Sequence, residues 1–146
     1  MDIASDVTSI AHVIQLSIAP VFLLTAVGAM LGVLSSRLSR AVDRARTLEG
    51  RVKTAAGDEE SLLRRQLNVL SRRIHMIYRA MVLCALCALL ICSVIVALFA
   101  STLAGTVLAV PIAVLFVAAM LAFIGALLLF LREVHLAITT LSIGTP

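Results

Sequence analysis

Two long runs without a charged residue constrain this chain more than any other feature. Residues 13–36 contain no Asp, Glu, Lys or Arg over 24 positions, and residues 80–131 contain none over 52. An α-helix needs about 20 apolar residues to cross a bilayer. The first run therefore fits one span, and the second fits two spans and a turn. Because the bilayer core offers no water to backbone groups, we expect these spans to be helices.

We predict an all-α integral membrane protein with three transmembrane helices and a cytoplasmic helical hairpin between the first and second spans. The predicted segments are an amphipathic helix with the first span (1–36), a basic hairpin (37–79), two further spans (80–131) and a C-terminal tail (132–146). The spans themselves are expected at about 12–36, 80–100 and 108–131, with a turn at 101–106. Gly105 and Pro111 mark this turn, because glycine ends helices and proline suits a first helical turn.

The N-terminal residues 2–19 have a mildly amphipathic pattern, with Ile3, Val7 and Ile10 at helical spacing. Pro20 removes one backbone donor and favours a kink. Two interpretations stay open: an interfacial helix that bends into the membrane, and one continuous tilted helix. No basic residue precedes Arg37, so we do not expect a signal peptide.

The hairpin prediction depends on two apolar stripes whose members alternate at spacings of four and three. They are Leu34, Leu38, Ala41, Ala45, Leu48 and Val52, and Leu63, Leu67, Leu70, Ile74, Ile77 and Met81. Gly57 suits the end of one helix, and the carboxylate of Asp58 suits the start of the next. We expect Leu48 near Leu63 or Leu67, in arms continuous with the spans. The alternative is two helices that lie on the bilayer surface.

The charge distribution predicts the orientation of the chain. Residues 37–79 hold 11 basic and 5 acidic side chains, whereas the 101–106 turn has no charge. Basic loops stay on the cytoplasmic side, so we expect the N-terminus outside, the hairpin inside and the C-terminus inside. The basic segment is short and lacks interleaved aromatic residues, so we do not expect nucleic-acid binding.

Polar side chains are concentrated in the first predicted span. The candidates to line a pore are His12, Gln15, Ser17, Thr25 and Arg37. Gly28 and Gly32 form a small-residue groove that lets another helix approach closely. The third span has no polar side chain from 111 to 131, so we expect it to face lipid. This asymmetry predicts a symmetric homo-oligomer with the first span near its axis; the alternative is that His12 and Gln15 reach headgroups and backbone.

Several arginines lie near the predicted inner membrane surface. Those predicted to contact anionic phospholipid headgroups are Arg40, Arg44, Arg72, Arg73, Arg79 and Arg132. A specific anion or lipid site is the alternative to this general role. Glu133 has no partner that the sequence assigns, and we interpret residues 132–135 as a juxtamembrane anchor.

We predict no enzymatic activity, no metal site and no cofactor. Cys84, Cys87 and Cys92 offer three thiols without a fourth ligand, and a structural zinc site needs four. Packing between helices is the simpler role for these cysteines. No nucleophile and base pair or phosphate loop is present.

Two functions follow as hypotheses. The first is a homo-oligomeric ion channel lined by the first span, with Arg37 at its inner mouth and a dry constriction at Leu24, Val27 and Leu31. The second is a membrane scaffold or signalling module whose cytoplasmic hairpin binds a partner. The sequence does not specify an ion, a subunit number or a ligand.

Three stretches of the chain resemble a family of small bacterial membrane proteins. They are LSIAPVFLLT at 16–25, RLSRAVDRAR at 37–46 and LFLREV at 129–134. That family is catalogued as a domain of unknown function. The resemblance implies a multi-pass protein of the bacterial inner membrane, and it implies no activity, cofactor or site residue.

Overall fold

The computed structural model describes residues 3–105 and 108–141, and the side chains within 11–105 and 108–135. This part of the chain forms three helices: α1 (Ile3–Val52), α2 (Asp58–Leu103) and α3 (Ala109–Leu141). The predicted all-helical fold is confirmed, and all three helices are long and apolar enough to cross a membrane. Parts of the predicted segments lie outside the described residues: 1–2, 106–107, 142–146, and the side chains of Ile3, Val7 and Ile10.

Helix α1 is continuous over 50 residues, with Pro20 inside it, and α2 is continuous over 46 residues. At 1.5 Å per residue these helices are about 75 and 69 Å long. The hydrocarbon core of a bilayer is only about 30 Å thick. Both helices therefore extend well beyond their charge-free segments without a break in secondary structure.

The helix ends follow local chemistry that the sequence predicted. Gly57 and Gly105 have φ values of 68° and 61°, in the left-handed region that favours glycine. Asp58, Glu59 and Glu60 occupy the first turn of α2, where carboxylates interact favourably with the exposed N–H groups. Pro111 lies in the first turn of α3.

The chain divides into two compact units. Unit 1 contains residues 1–30 and 83–124, and unit 2 contains residues 31–82 and 125–146. All three helices contribute to each unit, and each unit contains buried side chains of its own.

All three helices supply buried side chains to the core of unit 1. They are Val13, Ser17, Pro20, Val27, Cys84, Cys87, Ile91, Val94 and Ala119. On α2 the buried positions follow spacings of three and four, which place them on one helical face. Alanine and cysteine at such positions allow close helix packing.

Unit 2 contains the two apolar stripes predicted from the sequence. Leu48, Leu63 and Leu70 form a buried cluster, and the surrounding partly buried residues are Ala41, Ala45, Val52, Ala55, Leu67 and Ile74. Leu34, Ile77, Ala80 and Ala126 are also buried in this unit. The arms of α1 and α2 therefore pack on each other through leucine side chains.

Helix α3 exposes a continuous apolar stripe at spacings of four and three. Its members are Val110, Val114, Val117, Leu121, Ile124, Leu128 and Leu131. Exposing such an apolar surface to water costs about 25 cal/mol of free energy per Å² relative to burying it. In a bilayer the same surface contacts acyl chains, which agrees with a membrane protein.

Candidate functional site

The most unusual side chain in unit 2 is Glu133, near the C-terminal end of α3. It follows a long apolar run, and its side chain is only 3% exposed. Its Oε2 accepts a hydrogen bond from Arg37 Nη1 at 2.5 Å, and its Oε1 accepts one from Arg73 Nη2 at 2.9 Å. One carboxylate on α3 therefore joins an arginine on α1 to an arginine on α2.

Electrostatics explains why this carboxylate needs two partners. An isolated buried carboxylate carries a large desolvation penalty. Two charge-assisted bonds satisfy both of its oxygens. Each arginine side chain remains 32% exposed, so the arginines keep part of their hydration. We call Arg37, Glu133 and Arg73 the three-helix triad.

An aromatic contact adds to the triad. The guanidinium carbon of Arg37 lies 4.9 Å from the ring centroid of Phe130, one turn before Glu133 on α3. This is within the range of a cation–π interaction. Arg37, which we predicted to ring a pore mouth, is thus held by two residues of α3.

The sequence analysis did not link Glu133 with Arg37 or Arg73. A signal for it was available, because Glu133 is the only acidic residue after Glu60. A lone carboxylate at the end of an apolar span is expected to find a cationic partner, because burial without one is costly. Which arginine it finds depends on helix rotation and register, and those are tertiary properties.

A second feature of unit 2 is an open cleft of about 760 Å³ between α2 and α3. We call it the basic cleft. It is lined by Val69, Ser71, Arg72, Arg73, His75, Met76, Arg79, Leu129 and Arg132. Four of the six arginines predicted to contact lipid headgroups thus lie at one place. Arg40 and Arg44 are exposed on α1 and do not line it.

The third feature is an exposed stripe on α1 at spacings of three and four. We call it the α1 stripe, and its members are Gln15, Ile18, Phe22, Thr25, Ala29, Gly32 and Ser36. It spans 21 residue steps, or about 32 Å of helix. The α1 residues buried within the chain, such as Val27 and Leu34, lie on a different face.

The predicted pore-lining residues do not share one environment. Gln15 and Thr25 belong to the α1 stripe, and His12 is exposed. Ser17 is buried in unit 1, where its hydroxyl donates to the Val13 carbonyl at 2.8 Å. The Thr25 hydroxyl donates to the Val21 carbonyl at 3.3 Å.

Of the three residues predicted to form a dry constriction, Leu24 and Leu31 are half-buried and Val27 is buried. Val27 has no exposed surface, because it packs inside unit 1. Phe22 is instead 72% exposed and is the largest side chain of the α1 stripe. A constriction formed by this stripe would therefore lie at Phe22.

Gly28 and Gly32 have open space beside them. A Cβ built at either position meets no atom within 4 Å. No segment of this chain within the described residues therefore occupies the groove predicted for helix packing.

Cys84 and Cys87 are buried in unit 1, whereas Cys92 is exposed. No group of three His, Cys, Asp or Glu side chains that could hold a metal occurs among the described residues.

A family model described as "Protein of unknown function (DUF2721)" matches residues 17–143 of the chain. The match covers most of the sequence, including most of the first span, the whole charge-free run 80–131, the triad and the basic cleft. Comparison with curated proteins and with solved structures gave no match.

Proposed function

The chain belongs to the DUF2721 family, and because this membership assigns no activity, we propose from the geometry that it is a subunit of a homo-oligomeric membrane channel. The α1 stripe carries the proposal. It is exposed over about the thickness of a bilayer and contains Gln15, Thr25 and Ser36. Polar side chains at membrane depth usually face protein or a water-filled cavity.

One edge of the α1 stripe supplies the proposed subunit contact, because Gly32 belongs to the stripe and Gly28 lies beside it. Gly28 and Gly32 are one helical turn apart, and both lack neighbours within the chain. Small residues at this spacing allow two helix backbones to approach closely, which strengthens van der Waals packing in a membrane. A ring of α1 helices packed through these glycines turns the rest of the α1 stripe toward the axis.

The side chains of the α1 stripe predict a gated channel, which is closed at rest. Ala29 and Ser36 are small and leave the pore wide along one half of the stripe, whereas Phe22 narrows the pore along the other half. A ring of apolar side chains can close a pore by excluding water. Because α1 runs unbroken into the arm beyond residue 36, movement of that arm moves the stripe.

Mass measurement and conductance test the proposal together. We expect Gly28→Ile and Gly32→Ile to reduce the oligomeric mass in detergent, measured by light scattering. Gly50→Ile is the matched control, because Gly50 also lies on α1 and also has no neighbour within 4 Å. An unchanged oligomeric mass for both Gly28→Ile and Gly32→Ile would contradict the proposed contact.

In planar bilayers we expect the purified protein to give single-channel steps. Phe22→Ala should raise the conductance or the open probability, and Thr25→Leu should lower the conductance. Ser93→Leu is the control, because Ser93 is an exposed span hydroxyl on α2. Silence of the unmodified protein and of Phe22→Ala across voltage, tension and pH would contradict the channel.

A second candidate is a membrane scaffold whose hairpin binds a partner, and the end of the hairpin favours it. Glu49, Val52, Lys53, Arg64, Leu67 and Asn68 line a cleft of about 390 Å³ there. A stable oligomer that stays silent in bilayers would favour this function. We propose the bacterial inner membrane as its location, with the hairpin and the C-terminus in the cytoplasm.

A further inference from the structure

The basic cleft of unit 2 has uncompensated positive charge. Arg73 lines it but already binds Glu133 at 2.9 Å. Arg72, Arg79 and Arg132 also line it, and none of them has a carboxylate partner among the described residues. Three guanidinium groups at one opening attract an anion, and arginine pairs well with phosphate.

The cleft is also partly apolar. Met76 and Leu129 are half-buried in its wall, and the exposed Val69 also lines it. A small inorganic anion would leave these side chains in contact with water. A ligand with both a phosphate and a hydrocarbon part matches both kinds of wall.

The position of the cleft along the helices indicates the source of that ligand. Arg79 immediately precedes the charge-free run of α2, and Arg132 immediately follows the charge-free run of α3. Both guanidinium groups therefore lie where the membrane spans end. Phospholipid phosphates occupy this depth, and basic side chains just beyond a span attract anionic lipids.

We propose that the basic cleft is a binding site for one anionic phospholipid. Arg79 and Arg132 bind its phosphate, and Arg72 contributes a further positive charge to the cleft. Its acyl chain follows Leu129 toward the membrane, along a face of α2 on which Val82 is also exposed. This inference is independent of ion conduction.

The three-helix triad holds the two walls of the cleft in register. Arg73 lies in the cleft wall, and Glu133 follows Arg132 directly on α3. The bond from Arg73 to Glu133 therefore fixes Arg132 relative to Arg79. Arg73 does not bind the phosphate, because its guanidinium already binds Glu133.

Native mass spectrometry of the full chain in mild detergent tests the site. The probe is dioleoyl phosphatidylglycerol, compared with dioleoyl phosphatidylcholine and inorganic phosphate. We expect one retained phosphatidylglycerol and weak binding of the other two. Combined Arg72→Gln, Arg79→Gln and Arg132→Gln should weaken binding by about fivefold per arginine, on the order of 100-fold in total.

A charge-matched control separates a site from general attraction. Combined Arg46→Gln, Lys53→Gln and Arg65→Gln removes the same charge from exposed positions outside the basic cleft, and should change affinity by no more than about twofold. Equal losses in both triple variants would overturn the proposal. Equal competition by inorganic phosphate would show a soluble anion site and overturn the lipid assignment.

A photoactivatable acyl chain provides a second measurement on the unmodified protein. Phosphatidylglycerol with a diazirine in its acyl chain should crosslink to α2 or α3 near Leu129. Peptide mapping that places the crosslinks on α1 instead would contradict the site, even if the triple variant fails to fold.

Discussion

Glu133 shows how a single residue can organise three helices. Its carboxylate is buried, and each of its oxygens binds a different helix. A buried ion pair does not by itself imply high stability, because desolvation offsets much of the attraction. Removing one partner is nevertheless costly, since the remaining charges are left uncompensated.

We therefore expect Glu133→Ala to lower the free energy of unfolding by about 2–3 kcal/mol. This is less than the 3–5 kcal/mol typical of fully buried pairs, because both guanidinium groups keep some solvent contact. Unfolding in mixed detergent micelles measures the change. Glu49→Ala is the control, because Glu49 is exposed and should cost less than about 0.5 kcal/mol.

A double-mutant cycle distinguishes lost pairing from lost packing. If the triad exists, Arg73→Gln should cost clearly less in the Glu133→Ala background than alone, with a coupling of at least about 0.5 kcal/mol. Strict additivity of the two substitutions would contradict the pair.

At the scale of elements, the hairpin arms derive their stability from leucine packing. Leu48 on α1 and Leu63 on α2 belong to one buried cluster. Exposed ion pairs nearby, such as Arg64 with Glu60, contribute little. The pairing of the arms therefore depends on apolar contact.

Disulfide crosslinking tests this pairing. In a background without the native cysteines, Leu48→Cys with Leu63→Cys should form a crosslink within one chain. Leu62 is the control partner, because its side chain is 59% exposed beside the buried Leu63. Dimers on a non-reducing gel, without the intrachain product, would replace the hairpin by an intermolecular bundle.

The sequence predicted elements well because their signals are local. Charge-free length predicts spans, and the spacing of Leu63, Leu67 and Leu70 predicts a buried face. Gly57 predicted a helix end for a conformational reason that holds in any fold.

Tertiary partners were not predictable in the same way. Arg37 and Glu133 are 96 residues apart in sequence. Ser17 was assigned to a pore by its polarity, yet it is buried with its hydroxyl bonded to its own helix. Polarity alone does not specify which way a helix is rotated, and rotation decides both cases.

At the scale of the whole molecule, charge is strongly asymmetric along the helices. The basic segment 37–79 lies between the two charge-free runs, and Arg132 follows the second run. The turn between α2 and α3 has no charged residue in its described part. Positive charge near spans is retained in the cytoplasm. We therefore propose that the hairpin and the turn between α2 and α3 lie on opposite sides of the membrane.

Single cysteines at the two helix connections test this orientation. Gly57 and Gly105 are unsuitable positions, because their positive φ angles strain any other residue. Ala56 and Ala104 are exposed neighbours that avoid this strain.

In a background without native cysteines, Ala104→Cys should react with an impermeant thiol reagent in cells whose outer membrane is permeabilised. Ala56→Cys should react only after the inner membrane is opened. Labelling of Ala56→Cys with the inner membrane intact would reverse the orientation, and it would place the basic cleft on the outer leaflet.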